Sequence, residues 1–372
     1  MKSDVKGISD GDQVSGPLLF WDAFGIPHIN SGVGQHWTKL SRAILLMKPS
    51  GNSPSFENCF DFPKSISKIP FSGISRLVWN RLLGEKLRKL DRCSYKIVFH
   101  GFSNFNIPIT SGRRKFRTVL TVHDVIPLIQ PQSVSWKLRT EMQYILRNGL
   151  KHVDHVVCVS HWSKMTFLSL FDYQEERVSV IPNGFGEFSP RIFKPDEGSV
   201  NVLMVSRYER YKGFEFLCNV IRKNRRFKLA IVTNEIGRNQ LERFADDLIR
   251  QGRLTIFVTV SNDLLHSLYN KTDVYVTPSR FEGFCLPVAE SLSHNIPVVY
   301  LKGSGIDEVA GGSVAIGLEG LADESDWSDA ILQAYQMNFD SGFLELGSAY
   351  VQSKLSWEGA ADKINQLYGK MY

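Results

Sequence analysis

Strand-length runs of continuous apolar residues alternate with helix-length amphipathic segments along this chain, and the alternation occurs twice. In the first half the runs are Leu18–Trp21, Lys96–His100, Val119–Val122, Val156–Val159 and Val178–Ile181. In the second they are Val200–Val205, Phe227–Val232, Leu254–Val258, Val274–Thr277 and Pro297–Leu301. Hydrophobicity without period-two alternation marks strands buried on both faces, the habit of parallel sheets covered by helices. The pattern predicts two doubly wound, Rossmann-like α/β domains. Pro182-Asn183-Gly184 stops a strand, and Gly186, Pro190, Pro195 and Gly198 follow, so a linker is expected over 183–199.

A length of 372 residues suits two such domains, and 43% hydrophobic with 22% charged residues excludes a disordered, collagen-like or disulfide-scaffold chain. Cys59, Cys93, Cys158, Cys218 and Cys285 stand singly with no C-x-x-C pair, so reduced thiols and no metal site are expected. Met1–Gly16 is polar and charged, and no apolar run approaches the roughly 20 residues of a membrane span. A cytoplasmic location is expected. The net charge of +6 divides into +9 for residues 1–190 and −3 for 191–372. Residues 62–117 hold 13 cations, from Lys64 and Lys68 to Arg117, against Glu85 and Asp91, a field that fits an anionic partner.

Ligands of open parallel sheets bind at the carboxyl ends of the strands, so polar groups just after each run are the candidates. After the first run, Asn30-Ser31-Gly32-Val33-Gly34 opens a helical pattern and presents backbone N–H groups to an anion; a plain tight turn is the alternative. Trp37 occupies the third glycine position of a dinucleotide fingerprint, which argues against a nicotinamide enzyme. His123-Asp124 follows the third run, where the imidazole fits a sugar hydroxyl or a structural bond. Arg207 and Lys212-Gly213 lie between the run Val200–Val205 and the next helix, a bidentate fork and a point charge suited to a diphosphate or to solvent. Glu282 and Glu290 are eight residues apart. With two helical turns between them, at about 1.5 Å per residue, they stand roughly 11 to 12 Å apart. That exceeds the roughly 5 to 9.5 Å of a glycosidase pair and fits two contacts to one extended ligand. Gly303-Ser304-Gly305 follows the run Pro297–Leu301 and repeats the anion-facing glycine pattern.

Taken in order, these segments resemble the retaining glycosyltransferases of family four, which have the two-domain GT-B fold. Ser31–Gly34, Thr121–Asp124, Cys158–Ser160 with Ser163-Lys164, Ile181–Gly184, Arg207 with Lys212-Gly213, Glu282–Glu290 and Leu355–Glu358 with Ala360-Ala361 carry the likeness. The resemblance implies an acceptor domain over 1–190, a donor domain over 191–350, and a C-terminal helix over 351–372 that packs back on the first. It implies a nucleotide-sugar donor, with Arg207 and Lys212 holding its phosphates in place of a metal, so no cofactor is expected. Glu282 would contact the transferred sugar, Glu290 the ribose, and His123 the sugar near the reacting carbon. Gly32, Val33 and Gly34, with Gly303, Ser304 and Gly305, would lie against the diphosphate. Two departures stand out: Cys285 replaces the glycine usual after Glu-Gly-Phe, and His294-Asn295 replace small residues.

The subclass most resembled contains mannosyltransferases of lipopolysaccharide O-antigen or exopolysaccharide, so GDP-mannose is the first donor expectation. UDP-glucose, UDP-N-acetylglucosamine and a dTDP-deoxysugar stay open, as does a covalent intermediate on Glu282. The acceptor would be a glycan or a polyprenyl-diphosphate-linked sugar. Residues 74–92, with Ile74, Leu77, Val78, Leu82, Leu87 and Leu90 on one face among cations, and residues 113–117, fit a peripheral site on the inner face of the cytoplasmic membrane. The alternative is a helix packing that stripe on the sheet. A nucleotide-sugar epimerase of the same architecture is the rival reading. A nucleic-acid binder is not expected, since Arg81–Arg92 carries little aromatic interleaving.

Overall fold

The structure, a computed structural model, describes residues 18–22, 32–46, 73–90, 96–185, 191, 193, 198–311, 315–321 and 323–371. Met1–Gly16, Asn30, Ser31, Cys59, Lys64, Lys68, Arg92, Cys93 and the linker residues Gly186, Pro190 and Pro195 lie outside the described residues.

Two all-parallel sheets form. The first holds β1 (Leu18–Asp22), β2 (Ile97–Gly101), β3 (Arg117–Val122), β4 (His155–Cys158) and β5 (Val178–Val180), side by side in that order. The second holds β6 (Val200–Val205), β7 (Phe227–Thr233), β8 (Leu254–Val258), β9 (Val274–Thr277), β10 (Val298–Leu301) and β11 (Ala315–Leu318). Its order is β11-β10-β9-β6-β7-β8, so the winding reverses between β6 and β9. β2 and β9 are buried at every position, as continuous hydrophobicity requires of strands covered on both sides.

Each sheet has a core on both faces. In the second, Phe214, Leu217 and Trp327 close one side and Val288, Leu292 and Ile306 the other. Each such fully buried side chain contributes about 1.5–3 kcal/mol of transfer free energy. In the first, Met142, Ile145 and Phe167 cover one face, and Leu40 and Ile44 the other. Trp357, Ala360, Ala361, Ile364 and Tyr368 join that second cluster, so the helix Trp357–Lys370 belongs to the first sheet's core.

The basic helix Gly73–Leu90 packs differently from its expected stripe. It buries Trp79, Leu83 and Leu87, while Val78 and Leu82 are half exposed. The face is set by Asn80, whose Nδ2 donates to the Phe105 carbonyl at 2.8 Å and whose carbonyl accepts from Ile109 N at 2.9 Å. The 113–117 cations are also partly spent: Arg114 and Arg117 both bond Asp154, at 2.8 and 3.3 Å.

Candidate active site

In an open α/β sheet the crevice at the reversal of strand order is the natural ligand site. Here it lies beyond β6 and β9, where Arg207 and Lys212 follow one strand and Glu282 the other. Gly213, at φ 75°, lets these two loops touch, since a Cβ there would stand 2.8 Å from Pro278. Arg280 N then donates to the Tyr211 carbonyl at 2.9 Å. The outcome is a bond of 2.6 Å from Lys212 Nζ to Glu282 Oε1, with the side chains only 12% and 14% exposed. Burial alone would lower the Lys212 pKa, but the Glu282 charge, Tyr211 and that bond hold it above the ordinary lysine value.

Arg207 is exposed, and its guanidinium makes no hydrogen bond or ion pair among the described residues. Its charge, with those of Lys212 and Glu282, acts on Asp124, whose carboxyl is nonetheless raised by burial. Glu290 sits in the helix Leu286–Ser293 and accepts from Tyr269 Oη at 2.8 Å. Burial raises its pKa, and Tyr269, Lys39 and His266 pull it down. Lys39 belongs to the helix Gly32–Leu46, so the helix that Gly32, Val33 and Gly34 begin acts electrostatically on Glu290.

The first sheet meets this wall directly. Gly283 lies against His123, where an added Cβ would fall 2.2 Å from the His123 carbonyl oxygen, so only glycine permits the approach. Ser160, at the amino end of the helix His161–Leu170, donates to the Gly283 carbonyl at 2.6 Å, and Ser163 donates to the His123 carbonyl at 2.9 Å. Glu308 accepts from His161 N at 2.9 Å and Trp162 N at 3.0 Å, capping that helix from the opposite sheet. His123 Nε2 donates to the Phe102 carbonyl at 3.0 Å, and burial lowers its pKa to about 4.

The structure therefore brings His123, Lys212 and Glu282 to one place, with Arg207 at its edge and Glu290 one helix along. It does not offer the expected glycine cradle at 303–305. Gly303 N donates to Asp307 Oδ2 and Gly305 N to the Glu282 carbonyl, both at 2.9 Å, while Ser304 is buried. Those two N–H groups are spent within the protein, one on Asp307, which reaches back from the next helix as an internal anion, and one on the loop that carries Glu282. Among the described residues no group of three or more His, Cys, Asp or Glu side chains is set to hold a metal ion. Sequence reasoning missed Tyr269, Glu308 and His36. Their only signal is a polar residue on a helix, which sequence alone does not separate from a solvated one.

Residues 41–185 match the family described as Glycosyltransferase Family 4, and residues 187–337 match Glycosyl transferases group 1. Both halves are glycosyltransferase domains, joined in the GT-B fold. The chain is similar to the O-antigen chain mannosyltransferase RfbU of Salmonella typhimurium, 26% identical over 59% of this chain and 61% of that one. It thus spans about three fifths of that relative. It is also similar to the O-antigen chain mannosyltransferase B of Escherichia coli, 25% identical over 77% of this chain and 78% of the relative. Among solved structures, the sucrose-phosphate synthase of Thermosynechococcus elongatus superposes with a TM-score of 0.71 at 16% identity, covering 96% of this chain and 99% of that one. Anabaena HepE, solved with UDP and glucose, gives 0.66 at 14% identity, covering 95% and 100%. In this GT-B molecule the two domains meet where Gly283, next to the Lys212–Glu282 pair, packs against the His123 backbone and Glu308 caps the helix His161–Leu170.

Proposed function

We propose that this protein transfers a hexose from a nucleotide sugar, with retained anomeric configuration and without a metal, to a glycan or lipid-linked acceptor in surface polysaccharide synthesis. The carrying observation is the buried Lys212–Glu282 pair at the strand reversal, beside Gly283, which packs on the His123 backbone. Lys212 and Arg207 face the diphosphate, and Glu282 and His123 the sugar. The bond from the anomeric carbon to the phosphate oxygen breaks, and the acceptor oxygen bonds the same face. The acceptor's proton passes to the leaving phosphate. Catalysis is positioning together with cations aimed at the growing phosphate charge.

Two relatives named as O-antigen chain mannosyltransferases support mannose, and hence GDP-mannose, as the first donor to try. The epimerase reading is not favoured, since both halves match glycosyltransferase families. The test is a thermal-shift panel of GDP, UDP, dTDP, ADP and CMP without metal. A ligand at 100 times its dissociation constant stabilises by about 2.7 kcal/mol. A shift with one nucleoside diphosphate, and its release from the matching sugar only when acceptor is added, is the expected result. Silence across the panel, with donor sugars and magnesium also tried, defeats the donor site. Release without acceptor defeats the transfer.

A further inference from the structure

His36 is 3% exposed, on the helix that Gly32–Gly34 begin. Its Nδ1 lies 2.6 Å from Asn183 Oδ1, an oxygen that only accepts, so Nδ1 carries the proton and Nε2 the lone pair. Nε2 is buried and has no hydrogen-bond partner among the described residues. The ring stands edge-on to His123, with centroids 4.8 Å apart at 90°, and the rings of Phe102 and Trp357 lie 5.8 Å away. One side chain thus touches the glycine-led helix, the end of β2, the segment after β5 and the last helix.

A position with only a packing role would be better served by an apolar ring, since a buried nitrogen without a partner costs stability. His123 supplies a reason for the histidine. Its Nε2–H is committed to the Phe102 carbonyl, which leaves Nδ1 as the accepting nitrogen of the ring. We propose that His36 is a positioning residue for His123: tethered by Asn183, it walls one side of the His123 ring and holds that ring in the single orientation in which its Nε2–H meets the Phe102 carbonyl, and so in that tautomer, at the transfer site. The inference rests on the reading of His123 as a donor-sugar contact.

The test compares H36F, H36N and H123A in the full chain, each first shown to fold by a cooperative melt. Turnover is followed with GDP-mannose, or with the nucleotide sugar identified by the thermal-shift panel, and ring tautomers by nitrogen-15 NMR of labelled histidine. H36F is expected to lower kcat about tenfold with donor KM within about twofold, and to mix the His123 tautomers. H36N, whose amide N–H can still reach Asn183, is expected to restore kcat to within about threefold. An unchanged His123 signature in H36F, or H36N as impaired as H36F, overturns the proposal. If H123A leaves turnover untouched, the placement of His123 fails. The tautomer result is independent of turnover, so mixed tautomers in a protein that accepts no nucleotide sugar leave His36 positioning His123 and defeat the donor reading alone.

Discussion

The two walls of the cleft are built from opposite materials. The first sheet ends in neutral, dry groups: His123 and His100 have pKa values pushed down by burial to about 4 and about 3, and His36 is lowered by the same cause. The second ends in charge, with Lys212 raised by its partner, Glu282 bonded to it and Arg207 exposed beside them. Neutral imidazoles do not compete with a phosphate for the cations opposite. Keeping both signs on one wall also lets that wall satisfy itself when the cleft is empty. The division is therefore expected to show in separate responses to substitution, to acid and to opening of the cleft.

The largest expected effect is that of Lys212→Ala. It removes the cation proposed to face the leaving phosphate and leaves Glu282 largely buried without its partner. Breaking a fully buried pair costs about 3–5 kcal/mol, and the residual exposure here puts this one at the lower end. Turnover should fall at least 100-fold, about 2.7 kcal/mol, and the melting temperature should drop with it. Glu282→Gln keeps the shape and a hydrogen bond, so a fall of about tenfold with little loss of stability is expected. Steady-state kinetics and melting curves together decide. Equal activity in Lys212→Ala and wild type would mean that the charged wall is structural.

Acid should act on the neutral wall first. The unfolded chain protonates its histidines near 6.5, whereas folded His123 stays neutral to about 4 and His100 to about 3. Between these values the unfolded state binds more protons, so stability present above pH 6.5 is lost as pH falls towards 4 and below. Each unit of separation is worth about 1.4 kcal/mol, which makes the loss several kcal/mol. Glu290 acts in the opposite sense, because its raised carboxyl favours the folded state as it takes up a proton. Hydrogen exchange at pH 6.5 and 4.5 should thus show β2 and β3 losing protection ahead of β6 and β9. Uniform loss would erase the distinction between the walls.

A smaller effect is expected at the join. Glu308 caps the helix His161–Leu170 from across the cleft. Removing a helix cap costs about 0.5–2 kcal/mol. Glu308→Ala should therefore raise the donor KM a few-fold and enlarge the radius of gyration seen by small-angle scattering, with kcat little changed. No change in either quantity would show that Ser160 and Ser163 hold closure alone.

How much of this was legible follows from where each signal resides. β6 and β9 occupy the very runs read from hydrophobicity, because a strand buried on both faces writes its burial into consecutive residues; the edge strand β8 matches its run as well, through the unbroken apolar and β-branched sequence Leu254–Val258. β11 (Ala315–Leu318) escaped: it is an edge strand, half-buried throughout and interrupted by Gly317, so no apolar run marks it. The charges of the site were legible as residue types after strand ends. Their pairing was not, since Lys212 and Glu282 lie 70 residues apart and meet only through sheet order. Gly303 and Gly305 misled because glycine spacing reports a tight loop without saying which acceptor its N–H groups will find.

Cys285 joins the sequence to the geometry at a single residue, and its expected effect is the smallest. It occupies the position where the resembled family has glycine, and its φ is 71°, in the left-handed region that a Cβ disfavours. That conformation costs a non-glycine residue roughly 1–2 kcal/mol, of which glycine's greater freedom in the unfolded chain returns about 0.5–1. Cys285→Gly should therefore stabilise the fold by up to about 1 kcal/mol. The thiol lies close enough to Glu282, Lys212 and Glu290 for all three charges to act on it, and burial raises its pKa. Removing it also takes a side chain away next to the proposed sugar contact. If the wall is shaped for one donor, the variant should melt higher yet discriminate less among nucleotide sugars, as competition assays would show. A variant that gains stability with selectivity intact would confine Cys285 to the backbone and leave donor choice to Glu282 and its neighbours.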